Sequence, residues 1–106
     1  MIKLIVEIVD DFPKTTSAFK IGGQIIDAIT SVGANFVEAQ SARSRKEFIS
    51  IMGIVLKEIK ETIYWLEITE ELRLTSVEKI DKILPETKEL AKIFASIILT
   101  SSKKLN

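Results

Sequence analysis

From Ser44 to Leu72 the chain reads SRKEFISIMGIVLKEIKETIYWLEITEEL. Ser44-Arg45-Lys46-Glu47 has the S-x-x-E form of a capping box, in which the hydroxyl and the carboxylate each take up a backbone N–H that the first helical turn leaves unpaired. Beyond it Phe48, Met52, Val55, Ile59, Ile63 and Leu66 recur at steps of three and four, which places them on one face of an α-helix. A second stripe collects Ile54, Glu58, Glu61, Trp65 and Leu72. Two contact faces on one helix require cover from two sides, so the spacing predicts a helix running to about Leu72 that meets neighbours on both.

The segments on either side supply those neighbours. Between Ser17 and Gln40, residues Ile21, Ile25, Ala28, Ile29, Val32, Phe36 and Ala39 repeat at helical spacing. Gly22, Gly23 and Gly33 weaken that helix but allow another to approach closely. A further helix starts near Thr75-Ser76-Val77-Glu78, again a capping-box pattern, and Pro85 is expected to kink or restart it. Past Pro85, Leu90, Ile93, Phe94, Ile97 and Ile98 form its expected buried face, and Ser101 to Asn106 are expected to fray. Ile2 to Phe12 is ambiguous by itself, because its β-branched residues also suit a strand. No partner strand is legible elsewhere, so it reads as a short first helix ended at Phe12-Pro13. The connections are short, which makes successive helices antiparallel neighbours. The fold class is therefore all-α: an antiparallel up-and-down four-helix bundle with a short first helix, one domain over residues 1–106.

Composition narrows the function classes. The chain is 46% hydrophobic with a mean hydropathy of +0.23, rich for so small a domain, so part of its apolar surface is expected to be covered by other copies. No apolar run approaches the roughly 20 residues of a membrane span, and Glu7 interrupts the opening run before a secretory signal could form. A cytoplasmic setting is the expectation. Fifteen basic residues balance fifteen acidic ones, which gives no global excess of positive charge to hold a polyanion. The chain has no Cys and no His. It thus lacks disulfides, thiolate ligands, and the commonest general base and zinc ligand. No Gly-rich phosphate loop is present, and the Ser and Thr hydroxyls have no His to activate them. No catalytic residue, cofactor or metal site is expected, and no enzymatic activity.

Three groups of polar or aromatic residues remain. Gln24, Ser31, Asn35 and Glu38 form a strip beside the apolar face of the second helix, and Glu58 and Glu61 lie one turn apart on the third. If the strips face each other, three carboxylates and an amide meet. A di-iron bundle would add Glu-x-x-His motifs, which are missing, so the expectation is a structural polar network that fixes helix register. Arg43, Arg45 and Lys46 cluster at the corner between the second and third helices. They are the candidate nucleic-acid contact, weak on a neutral domain, and a solvated corner is the plainer reading; Lys103-Lys104 could extend the patch. Tyr64 and Trp65 point about 100° apart on a helix and cannot stack as a tandem platform for bases. Ile54, Trp65 and Leu72 are the candidate oligomer interface.

Three blocks carry a family resemblance: Thr30-Ser31-Val32-Gly33-Ala34-Asn35-Phe36-Val37-Glu38-Ala39-Gln40, then Ser44-Arg45-Lys46-Glu47-Phe48, then Leu56 to Leu66 with Glu58, Glu61, Tyr64 and Trp65. In residues and in spacing they resemble the four-helix bundle proteins encoded in 23S rRNA intervening sequences. The family motif falls on Ser31, Asn35, Glu38, Glu58, Glu61 and Trp65. This chain departs from it at Val32-Gly33, where many members carry Ile-Pro, at Ala39, where they carry Gly, and in a first helix a turn or two short. The resemblance implies a ring-like homopentamer and no known catalysis. It also implies kinship with basic, nucleic-acid-binding accessories of retroelement reverse transcriptases, from which the neutral charge departs. The resulting expectation is a non-enzymatic, self-assembling bundle. A nucleic-acid-binding accessory using the Arg43–Lys46 corner is the alternative, and no other protein partner is legible.

Overall fold

The protein is described here by a computed structural model covering residues 1–105. Its elements are α1 (Ile2–Asp10), α2 (Thr16–Gln40), α3 (Arg45–Glu71) and α4 (Val77–Lys103), with no strand among the described residues. The helix ends follow from local chemistry. Thr15 Oγ1 accepts from Ala18 N–H at 3.2 Å, and Ser44 Oγ accepts from Glu47 N–H at 3.0 Å. Ser76, rather than Thr75, caps α4 by accepting from Lys79 N–H at 3.4 Å. At the far end of α3, Arg73 turns into the left-handed region with φ 53°. Its N–H bonds Glu70 O, and Leu74 N–H bonds Thr69 O, which is the bond pair of a Schellman motif.

Helix α3 lies between α2 and α4, and α1 packs on α2 and α4 rather than on α3. The shared core is built from Ile25 and Ile29 of α2, Met52, Val55, Ile59 and Leu66 of α3, Ile80 and Ile83 of α4, and Ile5 and Ile8 of α1, all essentially inaccessible to water. The rings of Phe36 and Phe94, 5.8 Å apart, join α2 to α4. Helix α1 runs against the edge of α2 so closely that a Cβ on Gly22 would sit 2.8 Å from Val9 Cγ1. Near the opposite end of α1, Ile2 Cδ1 is within reach of Gly33. At its C-terminal end the Lys79 ammonium donates to Asp11 Oδ2 at 2.8 Å, an exposed pair that holds the Asp11 carboxyl below its ordinary range. The bundle is 50 Å long and 20 Å across.

Several expectations change. Helix α4 passes through Pro85 without a break, because that residue faces solvent, where water can serve the carbonyl its missing N–H leaves unpaired. Ile93, expected inside, is 48% exposed. Helix α1 has nine residues and spans about 14 Å, against about 37 Å for the 25 residues of α2. It meets α4 beside Lys82 and Glu86. The expected frayed tail is helical to Lys103, and Ser101 within it is only 9% exposed. Asn106 lies outside the described residues.

Candidate functional site

The edges of each helix can be assigned from its contacts. Lys88 of α4 pairs with Glu67 at 3.5 Å, which marks the α4 edge of α3. Glu58, Glu61 and Trp65 lie on the opposite edge by helical rotation, the side of α2. On α2, Gly22 and Gly33 mark the α1 edge. Gln24, Ser31, Asn35 and Glu38 lie opposite, on the side of α3. The two polar strips therefore border one seam, the outer α2–α3 groove.

They do not bond across it. Gln24, Glu38 and Glu61 are exposed, while Ser31, Asn35 and Glu58 are half-buried. The hydrogen bond these six side chains make is local: Asn35 Nδ2 donates to Ser31 O at 2.9 Å within α2. No group of three acidic side chains among the described residues is placed to hold a metal ion. The buried polar groups of α3 are instead Thr62 and Thr69, whose hydroxyls donate to Glu58 O and Trp65 O one turn back. Sequence periodicity found the seam but could not supply the bonds, because those depend on side-chain reach across it.

The outward side of α3 carries apolar groups. Ile54, Tyr64 and Leu72 are 45%, 54% and 51% exposed. Trp65 is half-buried against the core, and the Tyr64 ring meets it edge-on at 5.0 Å and 73°. That geometry offers no parallel platform to a base, as helical spacing leads one to expect. A second apolar surface escaped the periodicity argument. Phe19 is 83% exposed beside a groove of about 640 Å³ between α1 and α2, lined by Phe12, Ala18, Gly22, Gly23 and Ile26. Its sequence signal was Phe19 standing out of phase with Ile21 and Ile25, next to paired glycines.

Arg43, Arg45 and Lys46 are all exposed at the start of α3. The antiparallel path returns the end of α4 to the same corner, where Ser101 lines a cavity of about 320 Å³ with Ala39, Gln40, Ala42, Ser44, Arg45 and Phe48. Lys103 and Lys104 follow within the next turn. Among the described residues no helix is long and apolar enough to cross a membrane.

A protein of unknown function from the S23 ribosomal protein family of Bacteroides thetaiotaomicron has a similar solved structure, with a TM-score of 0.82 and 35% sequence identity over 92% of this chain and 90% of that one. No curated protein matches the chain. The family model for 23S rRNA-intervening sequence proteins matches residues 1–96. With nearly the whole chain matched by that model and its helices superposing on a relative, the protein belongs to the 23S rRNA-intervening sequence protein family.

Proposed function

We propose that the protein is a non-enzymatic, self-assembling bundle of the cytoplasm, and that the outward side of α3 is where copies meet. The observation that carries this reading is the exposure of Ile54, Tyr64 and Leu72 along α3 and its C-cap, together with the half-buried Trp65. Apolar patches of this kind on small proteins usually mark interaction sites. A cyclic assembly needs two different surfaces, one on each side of every subunit. The groove beside Phe19 is a second apolar surface of the kind such a ring would use. Five copies is the number the family resemblance implies. Half-buried Glu58 within the α3 face would then fix the register of the contact more than its strength.

The test is a pair of charge insertions at exposed positions, Ile54→Asp and Leu72→Asp, with molar mass followed by light scattering and helix content by circular dichroism. Each variant is expected to keep its helices and lose mass. Unchanged mass in both variants would remove α3 from the interface.

A second reading, a nucleic-acid-binding accessory, is favoured by one observation: exposed Lys103 and Lys104 close α4 at the end of the bundle where exposed Arg43, Arg45 and Lys46 open α3. An electrophoretic shift with single-stranded RNA, repeated over a range of salt, tests it. The neutral chain is expected to bind weakly at physiological salt.

A further inference from the structure

Helices α1 and α3 each adjoin α2 and α4 but not one another, so the four stand at the corners of a square with α2 and α3 side by side. The outward sides of α2 and α3 therefore face in roughly perpendicular directions. By helical rotation away from the buried Ile25 and Ile29, the outward side of α2 carries Phe19, Lys20, Gly23 and Asp27, all exposed. Phe19, 83% exposed, borders the groove of about 640 Å³ that Gly23 and Asp27 also line. Rotation away from Val55, Ile59 and Leu66 places Tyr64, Glu61 and Lys57 on the outward side of α3, again all exposed. None of Lys20, Asp27, Lys57 and Glu61 is in an ion pair among the described residues.

The two sides match in order along the bundle. Helices α2 and α3 are antiparallel and meet at the corner formed by residues 41–44. At about 1.5 Å per residue from that corner, Phe19 stands about 32 Å up α2 and Tyr64 about 29 Å up α3. Lys20 stands at about 30 Å and Glu61 at about 24 Å, a difference that the long lysine side chain covers. Asp27 stands at about 20 Å and Lys57 at about 18 Å. Each side thus presents an aromatic ring, then one charge, then the opposite charge, and the signs on the two sides are complementary. A bundle 50 Å long and 20 Å across buries most surface when copies stand side by side, and rotation about an axis parallel to the helices leaves every residue at its own height. A two-fold pairing of α3 with itself is disfavoured. Glu58 is the middle residue of Arg45–Glu71, so that pairing sets the half-buried carboxylate of one copy against the same group of the other.

We infer that the outward side of α2, with the groove beside Phe19, is the seat of a second copy of this chain, docked through the outward side of α3. Tyr64 of the arriving copy packs on Phe19 over the groove, its Glu61 meets Lys20, and its Lys57 meets Asp27. Gly23, with nothing within 4 Å of the place of its missing Cβ, leaves room for the arriving helix. The contact is head-to-tail, and its two roughly perpendicular faces turn successive copies into a small closed ring rather than a filament. The inference rests on the self-assembly reading and adds to it which surface receives the α3 face, and in what register.

Two variants of the full chain test it. Phe19 makes little contact within its own chain, so Phe19→Asp is expected to keep the helix content of the wild type by circular dichroism and to lose molar mass by light scattering. The second variant combines Gly23→Cys with Glu61→Cys, two exposed positions at about 26 and 24 Å, in a chain that has no cysteine of its own. A disulfide needs Cα atoms within about 7 Å. Oxidation is therefore expected to give a ladder of covalent species beyond the dimer on non-reducing electrophoresis, collapsed by reductant. Covalent species that stop at the dimer indicate a two-fold contact and overturn the head-to-tail pairing, and so does a band of single-chain mass alone. A multimeric wild type whose mass Phe19→Asp leaves unchanged, with no ladder, refutes this pairing while the self-assembly reading stands. A wild type of 11.9 kDa at every concentration removes both, and leaves the groove to a different partner.

Discussion

Arg73 occupies a backbone conformation that residues with a Cβ avoid, φ 53° at the position just past the α3 cap. Glycine is the usual occupant there, because it adopts the left-handed region without steric cost. Arg73→Gly is therefore expected to stabilise the chain by about 1 kcal/mol, reduced somewhat by the extra freedom glycine brings to the unfolded state. Urea denaturation reads the change as a higher midpoint with an unaltered slope. The paired glycines of α2 make the opposite contrast. Gly22 has Val9 Cγ1 at 2.8 Å from the place of its missing Cβ, whereas Gly23 has nothing within 4 Å. Gly22→Ala should force a stiff β-branched neighbour aside and cost about 1–3 kcal/mol. Gly23→Ala, on an open helical surface, should gain up to about 1 kcal/mol. Thermal unfolding of the two variants checks the sign of each. The glycines were legible in the sequence as sites of close approach, but not which of the pair is in contact, since that depends on how α1 sits on α2.

Among the elements, α4 shows how far a local rule reaches. Of the two expectations at Pro85, a kink or a restart, the restart is excluded, because one helix runs from Val77 to Lys103. The rule still has an energetic consequence. A proline inside a helix forgoes one hydrogen bond and crowds the preceding carbonyl, so Pro85→Ala at this exposed site is expected to stabilise the fold by up to about 3 kcal/mol, measurable as a rise in the urea midpoint. The cap at Ser44 and the apolar faces of α2 and α3 followed directly from spacing, because capping and amphipathicity are local properties; at α4 the spacing of Thr75 and Glu78 put the box one residue early, and Ser76 is the cap. The fate of the last turns did not. Ser101 to Lys104 are short and polar, and composition reads such a stretch as a fraying end. Ser101 alone of these is buried, and it lies beside Ala39 and Phe48, residues more than fifty positions away in the chain. Ile93 failed for the complementary reason. It has the phase of the apolar face, but its 48% exposure depends on which neighbours pack at that level of α4, which spacing does not state.

At the scale of the whole molecule, a formal net charge of +0 conceals an uneven distribution. The end formed by the close of α2, the start of α3 and the close of α4 gathers Arg43, Arg45, Lys46, Lys103 and Lys104 against Glu38 and Glu47. The other end holds Asp10, Asp11, Glu67, Glu70, Glu71 and Glu78, partly answered by Lys14, Arg73 and Lys79. Charge counting cannot register this, because the polarity exists only once the antiparallel path folds distant segments together. The same folding sets the outer α2–α3 seam, with its half-buried Asn35 and Glu58, beside the apolar residues Ile54, Trp65 and Leu72 of α3. Self-assembly requires that surface to be covered by further copies of the chain. Multi-angle light scattering on the wild-type protein at micromolar concentration measures this most directly. The predicted result is a single species at a multiple of the 11.9 kDa chain mass, five being the number that the family resemblance implies. A species of 11.9 kDa that persists as concentration rises would contradict it.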